Sequence, residues 1–377
     1  MSSASSSSSV RAAVALVLAL LAGCAGRADT DGLADRAAPS RSARVVVFPV
    51  ENLSAKPAPL GEIRAQLVER LTRRGIAVVD EARLEAVVTK HRVRYTAGVE
   101  AAFAKAIGQE TGAEAIVIPS LETYDETAPS RVALFARLVT TGETPAVGAI
   151  ESRGAAGNDT PGLLGLGLIE DPRELMAHAV DAVARTLAHQ LAAAEGGGAR
   201  RAAAARTFQP KLVYRSDTLD PGRTWSVAVV PFFNRSERRY AGEIIALHMM
   251  RNLLTFPNLS VVEPGIVRDE LLRHRIIMSD GVSLPDTDTI LGAVNADLVL
   301  NGEVLEYVDP RGSWGTPRVD FSVLFIERKT RRVVFSSYSH NTGEDRVFLY
   351  DWGRINTAHA MAAQMARAIA ERLVEQR

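Results

Sequence analysis

The chain repeats itself, and this repetition constrains its fold more than any other feature. Val45-Val46-Val47-Phe48-Pro49-Val50-Glu51-Asn52-Leu53-Ser54 is echoed by Val227-Ala228-Val229-Val230-Pro231-Phe232-Phe233-Asn234-Arg235-Ser236, an offset of 182. His91-Arg92-Val93 with Gly98-Val99 returns as His274-Arg275-Ile276 with Gly281-Val282, now at 183. Gly112-Ala113-Glu114 meets Asn295-Ala296-Asp297 at the same 183. Matches in one order at near-constant spacing predict two homologous domains, 44–195 and 224–377. The stretch 196–223 is a linker that opens on Gly196-Gly197-Gly198, and its end (211–223) is open between linker and an added strand.

Within each repeat the periods alternate. The opening run is short, β-branched and stopped by proline, as expected of a strand buried on both faces. Ile63, Leu67 and Leu71 recur every four residues, as do Ile245, Met249 and Leu253, one helix face apiece. Further strands are expected at Ile76–Val79, Ala115–Ile118 and Val132–Val139, and at Leu259–Val262, Leu298–Leu300 and Val319–Ile326. In each repeat the last of these turns into a hairpin. Closing helices carry Leu175, Val183, Leu187 and Leu191, or Met361, Met365, Ile369 and Leu373. The fold class is therefore α/β, each domain a mixed β-sheet covered by helices.

The first residues read as an address. Arg11 precedes an apolar run, Ala12–Ala22, about half the ~20 residues a membrane-crossing helix needs, which fits a signal peptide over 1–23. The run ends in Leu21-Ala22-Gly23-Cys24, which resembles the lipobox of bacterial lipoproteins. That resemblance implies cleavage before Cys24 and acylation of its thiol. Ala25 after the cysteine resembles the outer-membrane sorting pattern, giving a lipid anchor on the periplasmic face of the outer membrane. Residues 24–43 are small and polar and read as a flexible tether.

Composition excludes some functions. Forty-four Lys+Arg balance 44 Asp+Glu, so the basic surface that nucleic acid requires is missing. Cys24 is the only cysteine, which rules out an internal disulfide and a cysteine-based metal site. None of the seven histidines lies in a zinc spacing. There is no glycine-rich phosphate loop and no Gly-x-Ser-x-Gly, so neither a metal, a cofactor nor a catalytic residue is expected.

The strand–Pro–x–x–Asn opening, Val78-Val79-Asp80 and Val261-Val262-Glu263 before a helix, and Gly112–Val117 with its partner Asn295–Gly302 resemble the CsgG/LpoB/TolB-amino-terminal superfamily of envelope proteins. The resemblance implies two CsgG-like domains in tandem and a non-enzymatic scaffold for an envelope machine, with an envelope protein as partner and self-association left open. Its alternatives are an LpoB-like activator of a peptidoglycan synthase and a CsgG-like secretion channel subunit. The channel type needs two long membrane hairpins per subunit, for which the connections here are too short.

Asn52 and Asn234 are expected to turn their side chains onto following backbone amides. His91 and His274 are expected at helix ends, and His178 and His189 share a helix face expected to meet solvent or a neighbouring strand. Two apolar segments before the closing helices supply the candidate partner-binding residues: Leu164 and Leu166 in the first, Phe348, Tyr350 and Trp352 in the second.

Overall fold

The computed structural model describes residues 43–159, 167–193, 208–275, 290–310, 312, 315–345 and 354–375. Cys24, its lipobox and residues 24–42 of the tether lie outside the described residues, as do all five candidate partner-binding residues. What is described belongs to one compact unit, Ser42–Arg377.

The first half builds β1 (Arg44–Val47), β2 (Glu51–Asn52), α1 (Leu60–Arg73), β3 (Ala77–Val78), α2 (Glu81–Lys90) and α3 (Ala101–Thr111). The hairpin strands β4 (Ala115–Asp125), β5 (Arg131–Thr140) and β6 (Val147–Ala156) follow, then α4 (Pro172–Ala193). The second half repeats the plan: β7 (Leu212–Arg215), β8 (Trp225–Val229), β9 (Phe233–Asn234), α5 (Ala241–Leu253), β10 (Leu259–Val261) and α6 (Pro264–Arg273). It ends on β11 (Leu298–Val308), β12 (Arg318–Glu327), β13 (Val333–Thr342) and α7 (Ala358–Val374). One sheet runs β3-β1-β4-β5-β6 with β2 beside β4, the other β10-β8-β11-β12-β13-β7 with β9 beside β11. In both, the helix-connected strands pair parallel and the hairpin strands antiparallel. The fold is thus mixed α/β, two mixed sheets with helices over them. Leu212–Arg215 settle the open question after the linker, because they add an antiparallel strand beside β13.

Local chemistry accounts for the repeated motifs. The Oδ1 of Asn52 accepts from the backbone N–H and hydroxyl of Ser54 while its Nδ2 donates to the carbonyl of Lys56. Asn234 does the same with Ser236 and Arg238. Pro–x–x–Asn–x–Ser is therefore a side-chain-locked turn between strand and helix. His91 and His274 cap the carboxyl ends of α2 and α6, and the following Arg92 and Arg275 adopt left-handed backbone, φ 53° and 56°, where a helix commonly ends. Asp80 and Glu263 accept from backbone amides at the start of the next helix, the role of an N-cap.

One of the hydrophobic clusters spans both halves. Phe135, Val147 and Ile150 of the first half pack in the same cluster as Ile244, Met249, Met361 and Met365 of the second. Helices α5 and α7 thus fill the layer between the sheets, while α1 and α4 cover the far face of the first sheet, with Leu67, Leu71, Val183 and Leu187 fully buried.

Candidate functional site

A cleft of about 750 Å³ opens where the halves meet, within the size range of ligand sites. The first half contributes Glu51, Leu53, Tyr95 and Arg137; the second contributes α5 through Glu243, Leu247 and Met250, and α6 through Val267, Arg268 and Leu272. Tyr95, Tyr240 and Leu272, three large apolar side chains that are 38%, 37% and 52% exposed, all line it. Arg268 lies over the Tyr95 ring at 3.9 Å, a cation–π contact that holds the phenol in place.

The floor of the cleft is a buried polar joint. Arg137 on β5 donates to the Ala97 carbonyl at 2.6 Å and meets Glu263 at 3.3 Å. Glu263 also accepts from Val99 N–H of the first half at 3.1 Å and from Gly265 N–H of its own helix. Both charged side chains are buried. Gly265 is required here, since a Cβ would sit 2.2 Å from the Val99 nitrogen. Two further carboxylates face the cleft. Burial pushes Glu51 above the usual carboxylate range, opposed by the Ser120 hydroxyl and Arg137 and reinforced by Glu243. Glu243 is also pushed up, by burial. Neither forms an ion pair among the described residues. Such perturbed groups in a cleft mark a candidate functional site.

Behind the cleft a second polar cluster joins the halves. Glu122 of β4 is wholly buried; its Oε1 accepts from the Tyr307 hydroxyl at 2.5 Å and its Oε2 meets His359 Nδ1 at 2.5 Å. His248 of α5 stands with Nε2 3.7 Å from the same Oε2, beyond hydrogen-bond range. His359 is placed by the start of α7, where Thr357 caps Ala360 N–H and Asp309 accepts from Ala358 N–H. Phe135 packs against both imidazoles, at 4.8 Å and 5.2 Å between ring centres. Burial drives His248 down to about 4. Burial opposes ionisation of Glu122, but His359 and His248 outweigh it and hold the carboxyl far below its usual range. Among the described residues, Glu122, His248 and His359 are the one group of three His, Asp or Glu side chains whose metal-ligating atoms lie within 4.8 Å of one another.

Of the features singled out in the sequence, Asn52 lines the cleft, and His178 and His189 point to solvent. Next to the candidate segment around Leu164 and Leu166, Leu168 is exposed and Ile169 packs on the first-half cluster that holds Leu67 and Val183. The cleft carboxylates and the buried cluster escape sequence reasoning. Glu122 and His359 are 237 residues apart, and only the folded chain brings them together. The one available signal is a polar residue inside an apolar run, as with His248 in Ile-Ile-Ala-Leu-His-Met-Met.

No protein-family description matches the chain, and no curated protein matches it. Solved structures do. PelC from Paraburkholderia phytofirmans, a dodecamer, is similar at 20% identity and a TM-score of 0.30 over 44% of this chain and 97% of its own. The lipoprotein GNA1162 from Neisseria meningitidis is similar at 19% and 0.27 over 39% and 96%. The LpoB C-terminal domain from Salmonella enterica is similar at 17% and 0.26 over 31% and 87%. No helix among the described residues is long and apolar enough to cross a membrane.

Proposed function

We propose that this chain is a lipid-anchored, non-enzymatic binding protein of the bacterial envelope, tethered through Cys24 on the periplasmic face of the outer membrane. Two homologous domains, 44–195 and 224–377, form its body, and the cleft between the two halves takes a segment of an envelope protein partner. The observation that carries this reading is the gathering of exposed Tyr95, Tyr240 and Leu272 around one cleft that also holds Arg137, Arg268 and Arg275 and in which Glu51 and Glu243 form no ion pair among the described residues. Apolar patches of this kind favour macromolecular contact, and two desolvated carboxylates select a cation by charge complementarity. The fitting occupant is an apolar stretch carrying one Lys or Arg. Leu164, Leu166, Phe348, Tyr350 and Trp352 are proposed as accessory contacts.

The test uses two synthetic peptides, apolar except for a central Lys or a central Glu, titrated into the purified protein. The Lys peptide is expected to bind at least tenfold tighter, and Glu51→Gln with Glu243→Gln to abolish the preference. Equal binding of both peptides, or none, overturns the cleft assignment. Turnover of an envelope substrate lost on Glu243→Gln would contradict the non-enzymatic reading. Mass spectrometry of the mature protein is expected to show an acylated Cys24 at its start.

A further inference from the structure

The cluster behind the cleft has more donors than its hydrogen bonds use. Glu122 is satisfied by Tyr307 and His359, but His248, fully buried, has neither ring nitrogen hydrogen-bonded among the described residues. A buried polar group left without a partner costs about 1–3 kcal/mol, and two imidazoles beside a carboxylate are a donor set that first-row transition metals accept. The surroundings fit as well. Tyr307 grips the carboxylate oxygen opposite the imidazoles, as outer partners orient metal-bound carboxylates. Phe135 packs against both rings, which are buried. The His359 ring has its place only because position 154 is glycine, where a Cβ would come within 2.5 Å of it.

We propose that Glu122, His248 and His359 supply three of the four ligands of one divalent zinc-class ion that clamps the two halves together, with a water molecule as the fourth. Donors around a tetrahedral zinc stand roughly 3.3 Å apart, given bonds of about 2.0–2.1 Å. The 3.7 Å between His248 Nε2 and Glu122 Oε2 is already near that spacing, and the 2.5 Å contact of His359 widens as the ion replaces its hydrogen bond. Because the donors come from both halves, the ion enters as the halves close and its binding stabilises the closed body.

The experiment uses the untagged full chain, equilibrated with Zn²⁺, passed over chelating resin and assayed for metal by mass spectrometry. One zinc per chain is expected, with a melting temperature several degrees above that in EDTA. His248→Asn and His359→Asn are expected to lose the zinc, while His189→Asn, on the exposed side of α4, keeps it. Should the junction variants fail to fold, Co²⁺ added to the unaltered protein is expected to give the visible absorption of a tetrahedral site, displaced by Zn²⁺. Zinc no higher than the buffer blank with equal melting in Zn²⁺ and EDTA, zinc retained by a folded His248→Asn, or Co²⁺ without that absorption would overturn the proposal.

Discussion

Helices α1 and α5 occupy the same place in their respective halves, yet one has a wet side and the other has none. In α1 the buried residues are Ile63, Leu67 and Leu71, and Glu62 and Glu69 face solvent. In α5 every residue except Glu243 and Arg251 is buried. The sheets differ in the opposite sense. Strand β5 is buried along nearly its whole length, on both faces, whereas β12 alternates buried with partly exposed residues. Both central strands bulge at matching positions. Glu122 is the extra residue in β4 and is buried; Leu305 is the extra residue in β11 and is 43% exposed. The two halves are therefore stacked in one direction: the helices of the second sit on the sheet of the first, and the corresponding face of the second sheet is left partly open. Two halves of like topology packed this way differ most at the junction, and there the cleft and the buried polar clusters lie.

Breaking the junction is expected to cost most. Arg137→Ala leaves the Glu263 carboxylate buried and unpaired, an expected loss of about 3–5 kcal/mol in chemical denaturation. The register-equivalent change, Leu324→Ala on the partly open face, is expected to cost roughly 1 kcal/mol or less. Equal losses at the two sites would refute the stacking. Next comes Ile244→Ala, fully buried in α5, with an expected loss of about 2–4 kcal/mol. Glu62→Ala on the outer side of α1 is expected to stay within about 0.5 kcal/mol of the unaltered protein.

A smaller effect follows from Glu243. Its folded carboxyl is raised above its ordinary 4.5, so the folded state holds its proton after the unfolded chain has released its own. The associated stability is present below 4.5 and is lost as pH rises through the raised range. Glu243→Gln is therefore expected to raise the melting temperature at pH 7 and to flatten this decline, while weakening the Lys peptide. A variant less stable than the parent at pH 7 would contradict the assignment. Smallest of all is Leu212→Lys on the exposed edge strand β7, where a charge is expected to leave stability within about 0.5 kcal/mol and to reduce self-association in light scattering.

Much of the fold is legible in the residues. The four-residue spacing of Ile63, Leu67 and Leu71 survives as a buried stripe, and the repeated Asn and His-Arg motifs mark turns and helix ends that depend only on near neighbours. For α5 the spacing of Ile245, Met249 and Leu253 marks only one buried face, whereas the folded helix is buried on nearly every side. What it packs against is another matter. The same apolar pattern suits any central layer, and only the chain's path shows that the layer lies between its own two sheets. For the same reason the site was hidden: Arg137, Glu263, Glu122, His248 and His359 acquire their chemistry from partners in the other half, and no local spacing records such a pairing.

The most direct test of the cleft as the partner site is photo-crosslinking in the intact envelope from Leu272, with the same probe at Leu212 as control. An adduct from position 272 that disappears when Glu51→Gln and Glu243→Gln are combined is the predicted result. An adduct from position 212 alone, or one from 272 that is indifferent to both carboxylates, would contradict it.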